Sequence, residues 1–170
     1  MLLPFWIFYV FVRTFVFSPF IVEGDSMLPT IQNGEVFLVD KLSYRTNEPQ
    51  RDDIVVFYLK DAPKYFYVKR VIGLPGDSIH LAADGIYLVD PATRDRTKLN
   101  EPYVEPEKYL PQKFLSSDNT LGEDFTVPDG KYFLLGDNRL HSKDSRYFTD
   151  PFISLSQIVG KFGFILYVPS

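Results

Sequence analysis

The groups in this 170-residue chain that could run hydrolytic chemistry are hydroxyls, carboxylates and lysines. There is no cysteine, so disulfides, thiolate metal sites and a Cys nucleophile are excluded, and the redox compartment stays open. Gly24-Asp25-Ser26-Met27-Leu28-Pro29-Thr30 sets a serine two residues after a glycine that permits close backbone approach. A serine before an apolar run is more often an N-cap or turn residue than a nucleophile, and its hydroxyl needs a base. His80, in a short strand, and His141, in a polar loop, are the usual type of base. For these a solvated side chain is the plainer reading. They lie far apart in sequence, and a His-based metal site is not expected.

Lysine is the other base. Tyr67-Val68-Lys69-Arg70-Val71-Ile72 puts Lys69 inside an apolar strand, on one face with Tyr67 and Val71, while Arg70 shares the opposite face with Val68 and Ile72. Desolvation on an apolar face disfavours the ammonium, so the pKa falls from its reference value of about 10.4. A drop of roughly two or three units would leave enough free amine at about pH 8 for general-base work. An edge-strand lysine facing water is the alternative. The third segment is Gly136-Asp137-Asn138-Arg139-Leu140-His141-Ser142-Lys143-Asp144-Ser145-Arg146. Polar residues this dense after an apolar strand form either a solvated turn or an orienting network. Ser142 could hold a lysine amine, and Asp144 could pair with Arg146.

The elements that must position these groups read as β. Runs rich in β-branched and aromatic residues cover Val36–Val39, Ile54–Leu59, Tyr65–Ile72, Ser78–Leu81, Ile86–Val89, Tyr132–Leu135 and Val159–Val168. Leu74-Pro75-Gly76-Asp77 suits a type II turn, Asp84-Gly85 a tight hairpin, and Val127-Pro128-Asp129-Gly130 a strand entry. Asp90 to Pro128 differs: five prolines and eight acidic against five basic residues mark an insertion or a loose subdomain.

Met1 to Val22 holds 17 apolar residues, eight of them aromatic, with Arg13 the only charge. No basic start and no Ala-x-Ala-like site follow the signal-peptide pattern, so a membrane anchor with an interfacial aromatic belt is expected. A start buried in a soluble core is the alternative. The twelve residues before Arg13 rise about 18 Å as a helix, against a hydrocarbon core of roughly 30 Å. Either Arg13 snorkels from a span reaching about Phe17, or the natural chain starts upstream of Met1. With 45% hydrophobic residues, general disorder is excluded. With 18 basic against 22 acidic residues there is no field for phosphates, and no nucleic-acid partner is expected.

Together these segments resemble the bacterial type I signal peptidases, or leader peptidases. The resemblance runs from about Arg13 to Val168. It is carried by Phe17-Ser18-Pro19-Phe20, Ser26-Met27-Leu28-Pro29-Thr30, Asp53-Ile54-Val55-Val56-Phe57, Val68 to Asp77, Gly136 to Arg146 and Ile158-Val159-Gly160-Lys161. It implies a mostly β fold of short antiparallel strands: a hydrophobic membrane segment over 1–17, a catalytic core over 18–89 and 129–170, and an inserted loop-rich subdomain over 90–128. It also implies a serine endopeptidase of the cytoplasmic membrane, single-pass or membrane-associated, with its catalytic domain on the extracytoplasmic side. Its substrates would be exported preproteins, cut after small residues at -1 and -3. Signal peptides and membrane lipid would be its partners. No metal or organic cofactor is implied, and a monomer suffices.

By the same resemblance Ser26 is the nucleophile that forms the acyl-enzyme and Lys69 the general base. Ser142 orients the lysine, Asp144 and Arg146 support the site, and Arg70 stands beside the base. Phe20, Val22, Met27, Ile31, Tyr67 and Val68 line the substrate pockets, with β-addition of the peptide near Tyr67 and Val68. The backbone N–H of Ser26 holds the oxyanion. Gly24 stands where some relatives carry a serine as second oxyanion donor, and Asp52 where a glycine is usual. The rivals are a soluble Ser–Lys autoprotease of the repressor-processing type and a non-catalytic, membrane-anchored domain that binds extended peptides.

Overall fold

The computed structural model describes residues 6, 16–82, 84–104 and 123–169. Their strands are all paired antiparallel and lie in two sheets. The larger sheet contains β1 (Phe17–Ile21), β2 (Val36–Asp40), β3 (Ile54–Leu59), β4 (Ala62–Gly73), β9 (Lys131–Leu135), β10 (Phe152–Ser154) and β11 (Ile158–Tyr167). Its spatial order is β1-β2-β11-β3-β4-β9-β10. The smaller sheet contains β5 (Ser78–Ala82), β6 (Gly85–Val89), β7 (Arg96–Lys98) and β8 (Glu123–Thr126), in the order β7-β6-β5-β8. A single helical turn, α1 (Ser43–Thr46), and a 3-10 turn at Leu155–Gln157 complete the described elements.

Strand alternation sorts the apolar side chains between the two faces of the large sheet. On β3, Ile54 and Val56 point into one cluster with Met27, Ile31, Phe37 and Val39, while Val55 and Phe57 point into another with Val71, Tyr132 and Leu134. A strand covered on both faces reads as an unbroken apolar run, as Ile54–Leu59 does. On β9 the same alternation gives Phe133 and Leu135 to a third cluster with Ile72, Ile79, Leu81, Ile86 and Val127, which joins the two sheets. The connection from β4 to β5 is the expected tight turn. Gly76 takes φ +86°, and the Asp77 N–H donates to the Leu74 carbonyl at 3.0 Å.

Four strands were not apparent as strands in the sequence. Pro19 interrupts β1, which is tolerable because β1 is an edge strand and the missing N–H leaves no interior ladder bond open. β7, β8 and β10 are three or four residues long and partly polar, too short to show a period. Gly85 pairs with Ala82 and opens β6, so it belongs to the strand rather than to the hairpin turn. The described parts of 90–128 supply β7 and β8 to the smaller sheet; 105–122 lie outside the described residues. Phe17 begins β1, while 1–5 and 7–15, on which the expected membrane segment and Arg13 fall, also lie outside them. No helix among the described residues is long and apolar enough to cross a membrane.

Candidate active site

Ser26 sits in the loop that joins β1 to β2. The loop is closed at its base by backbone bonds from Val22 N to Glu35 O and from Gly34 N to Val22 O, both 2.9 Å. Met27 and Ile31, one helical turn apart, are fully buried and pin the loop on the core, with Ile31 N donating to Met27 O at 3.0 Å. Ser26 itself remains half-buried at the surface of that anchor. Gly24 takes φ +94°, and its N–H donates to Asn33 Oδ1 at 2.8 Å. On the other side Asn138 holds the turn twice, by its N–H to Ser26 O at 3.1 Å and by Nδ2 to Asp25 O at 3.0 Å.

Lys69 lies on β4, 3% exposed, and its Nζ is 2.6 Å from Ser26 Oγ and 2.8 Å from the Val68 carbonyl oxygen. Burial lowers its pKa from 10.5 to about 8; Asp144 and Asp137 work against that drop and Arg146 adds to it. In the neutral form the amine can accept the Ser26 O–H proton through its lone pair. The hydroxyl thus lies within proton-transfer distance of an amine that is partly neutral near pH 8. Among the described residues no group of three or more His, Cys, Asp or Glu could hold a metal ion.

The loop after β9 is knitted rather than solvated. Asp144 accepts from Arg146 Nε and Nη2, both at 2.8 Å, and from the Gly136 N–H at 3.1 Å; both carboxylate and guanidinium are buried. Gly136 is required by close approach, because a Cβ there would fall on Ser142 Oγ and the Ser26 carbonyl oxygen. Ser142 is buried beside these atoms, and its Oγ makes no hydrogen bond among the described residues; the amine's second contact is the Val68 carbonyl instead. His141 is exposed, and His80 is buried on β5 with Nδ1 2.6 Å from Asp124 Oδ1, in the smaller sheet.

Arg70, next to Lys69, turns to Asp137. Its Nε and Nη2 meet the two carboxylate oxygens at 2.8 and 2.6 Å, and Thr30 Oγ1 donates to the same carboxylate at 2.5 Å. Burial works against the Arg70 charge, but the bond to Asp137 holds its pKa above the ordinary value. A cleft of about 400 Å³ opens over Ser26 and Lys69, lined by Phe20, Val22, Val56, Phe66, Tyr67 and Val68 among others. Of the expected pocket residues, Phe20, Val22, Tyr67 and Val68 line it, whereas Met27 and Ile31 belong to the core behind the Ser26 turn.

Several residues of this network carried no individual signal in the sequence: Thr30, Asp137, Asn138, Arg139, Glu101 and Tyr103. Asp137, Asn138 and Arg139 fall inside the polar run after β9, which was marked as a whole by its polar density and by the resemblance, with no role given to these three. Glu101 and Tyr103 lie in the proline-rich stretch that reads as loop. Their partners are set entirely by the fold, Glu101 with Arg139 across 38 positions.

An apolar cleft ending at a hydroxyl–amine pair belongs with the serine endopeptidases, and the comparisons with known proteins place the chain in that class. A model of the family described as signal peptidase, peptidase S26, matches residues 1–167, and the chain belongs to that family. It is 46% identical over 161 residues to signal peptidase I of Bacillus caldolyticus, covering 89% of this chain and 80% of that protein. It is 44% identical over 137 residues to signal peptidase I U of Bacillus subtilis (strain 168), covering 79% and 68% respectively. A crystal structure of a signal peptidase I from Enterococcus faecalis V583 shares 32% identity, with 68% of this chain and 97% of that chain covered and a TM-score of 0.47.

Proposed function

We propose that this peptidase removes N-terminal signal peptides from exported preproteins at the membrane, cleaving after small residues at -1 and -3 through a Ser26–Lys69 dyad. The observation that carries this reading is the 2.6 Å contact between Lys69 Nζ and Ser26 Oγ. The amine is buried, with its pKa lowered to about 8, so a neutral fraction exists at working pH. Ser26 Oγ attacks the scissile carbonyl as its proton passes to Lys69 Nζ. The oxyanion accepts a hydrogen bond from the Ser26 N–H. Collapse breaks the C–N bond, and the leaving amine takes the proton from Lys69. Water then gives a proton to Lys69 and attacks the ester, and the proton returns to Ser26 Oγ as the signal peptide leaves.

Arg70, Asp144 and Arg146 support this chemistry by fixing the loops around the pair, while Ser142 packs beside Gly136 with no hydrogen bond to the amine. The cleft favours an extended peptide laid beside the exposed first half of β4, with shallow apolar pockets formed by Phe20, Val22, Tyr67 and Val68. Shallow pockets beside the nucleophile admit Ala and reject large side chains. Association with lipid is supported by exposed apolar side chains: Ile21 and Phe66 at the cleft and Phe164, Leu166 and Tyr167 at the end of β11 are each at least half exposed. Ile21 and Tyr167 both pair with Val36, which puts them in one row across the sheet.

The test compares wild type, Ser26→Ala and Lys69→Ala in detergent on a preprotein with an Ala-x-Ala junction. Cleavage after the final Ala by the wild type alone is the expected result. Equal cleavage by all three would assign the activity to other residues. Binding without cleavage by a folded wild type would favour a peptide-binding module.

A further inference from the structure

We infer that Glu101 and Tyr103, from the segment between β7 and β8, are positioning residues for hydrolysis, holding Arg139 and Arg70 so that the loop after β9 stays seated on the nucleophile turn. This rests on the Ser26–Lys69 reading above and extends it to a part of the chain with no assigned role.

Arg139 is fully buried, and so is the Glu101 carboxylate that receives it: Nη2 donates to Oε1 at 2.5 Å and Nη1 to Oε2 at 3.2 Å. Burial works against the Arg139 charge, but the Glu101 bond and charge hold its pKa above the ordinary value. A buried guanidinium goes where its carboxylate is, since an unpaired one is strongly unfavourable. Arg139 in turn is tied to the loop at three points. Its Nε donates to the Gly136 carbonyl at 3.1 Å, its N–H donates to Asp137 O at 3.0 Å, and its carbonyl accepts from Arg146 Nη2 at 2.8 Å. Gly136 packs directly on the Ser26 carbonyl oxygen.

Tyr103 provides the second link. The Arg70 guanidinium stacks 3.8 Å from the centre of the Tyr103 ring, between that ring and Asp137. The Tyr103 hydroxyl reaches Asp52 Oδ1 at 3.0 Å and Glu101 Oε1 at 3.2 Å, which couples the two links. Asp137 closes the path, because it also accepts from Thr30, four residues after Ser26. One side of the nucleophile turn is thus referred to residues 101 and 103.

A purely structural ion pair could be replaced by apolar groups of similar volume without loss of function. The double variant Glu101→Leu/Arg139→Met therefore separates the two roles, with Tyr103→Phe and Tyr103→Leu as the second arm. Wild type and Ser26→Ala run alongside on a preprotein-derived peptide, and Tm, kcat and KM are measured for each. We expect a double variant whose Tm is close to wild type but whose kcat is lower by about 100-fold with KM within about threefold, the penalty for a misplacement near 1 Å. Tyr103→Phe should keep kcat because the ring remains, and Tyr103→Leu should lose about tenfold. A folded double variant and a folded Tyr103→Leu with wild-type kcat would overturn the inference. So would losses that follow only the unfolded fraction. If the double variant does not fold, the comparison of Tyr103→Phe with Tyr103→Leu decides alone. A wild type that does not cut at all would instead remove the Ser26–Lys69 reading on which the inference stands.

Discussion

Lys69 and Arg70 are consecutive on β4, yet the first meets Ser26 and the second meets Asp137, which also holds Thr30 from the same nucleophile turn. Strand alternation sends the two side chains to opposite faces. The turn carrying Ser26 is therefore held at Ser26 by Lys69 and at Thr30 by the Arg70–Asp137 pair. Moving the turn away from Lys69 would break the bond from Thr30 to the carboxylate that Arg70 holds.

Burial of Lys69 has a stability consequence. Its folded pKa of about 8 lies below the ordinary 10.5, so between those values the unfolded chain binds a proton that the folded chain does not. The penalty is present in full below pH 8 and fades as pH rises toward 10.5, with a size of about 3 kcal/mol. Lys69→Met should therefore be more stable than wild type at pH 7, and the gap should narrow by pH 10. Denaturant unfolding at both pH values checks this; a variant less stable at pH 7 would contradict it.

On the proposed mechanism the same free amine sets the rate. Cleavage by the wild type should rise with pH through about 8 and level off above it, as Lys69 loses its proton. A peptide-cleavage profile that breaks near pH 6 instead would assign the base to a histidine or carboxylate.

Gly136 tests the seating of the loop. A methyl group there would fall on Ser142 Oγ and on the Ser26 carbonyl oxygen, and the latter is backbone that cannot swing away. Gly136→Ala should fold with a loss of about 1–3 kcal/mol and lower kcat by roughly 100-fold. Unchanged kcat in a folded variant would mean that the turn tolerates displacement.

The exposed row along β1 and the end of β11 tests the membrane contact. Leu166→Asp/Tyr167→Asp replaces half-exposed apolar side chains with charges, outside the core. Partition into anionic lipid vesicles should fall about tenfold while cleavage of a short soluble peptide is kept. Equal partition would locate lipid contact elsewhere in the chain.

What the sequence determined by itself was local. Runs of β-branched and aromatic residues bounded by turn residues marked the long strands, because a strand covered on one or both faces must supply apolar side chains to the core. Residue type allowed a serine–lysine pair, since there is no cysteine and the two histidines are dispersed, but Ser26 and Lys69 were singled out by the motifs they share with the signal peptidases. Pro19 hid an edge strand, and three-residue strands had no room for a period. The tertiary structure decided what lies across the chain. It brought Lys69 to Ser26 over 43 positions and Asp137 to Thr30 over 107, sent Met27 and Ile31 into the core instead of the cleft, and put Glu101 under Arg139. Such pairings leave no local trace, because a side chain's partner depends on which faces of distant strands are buried together, and only the packed sheets settle that.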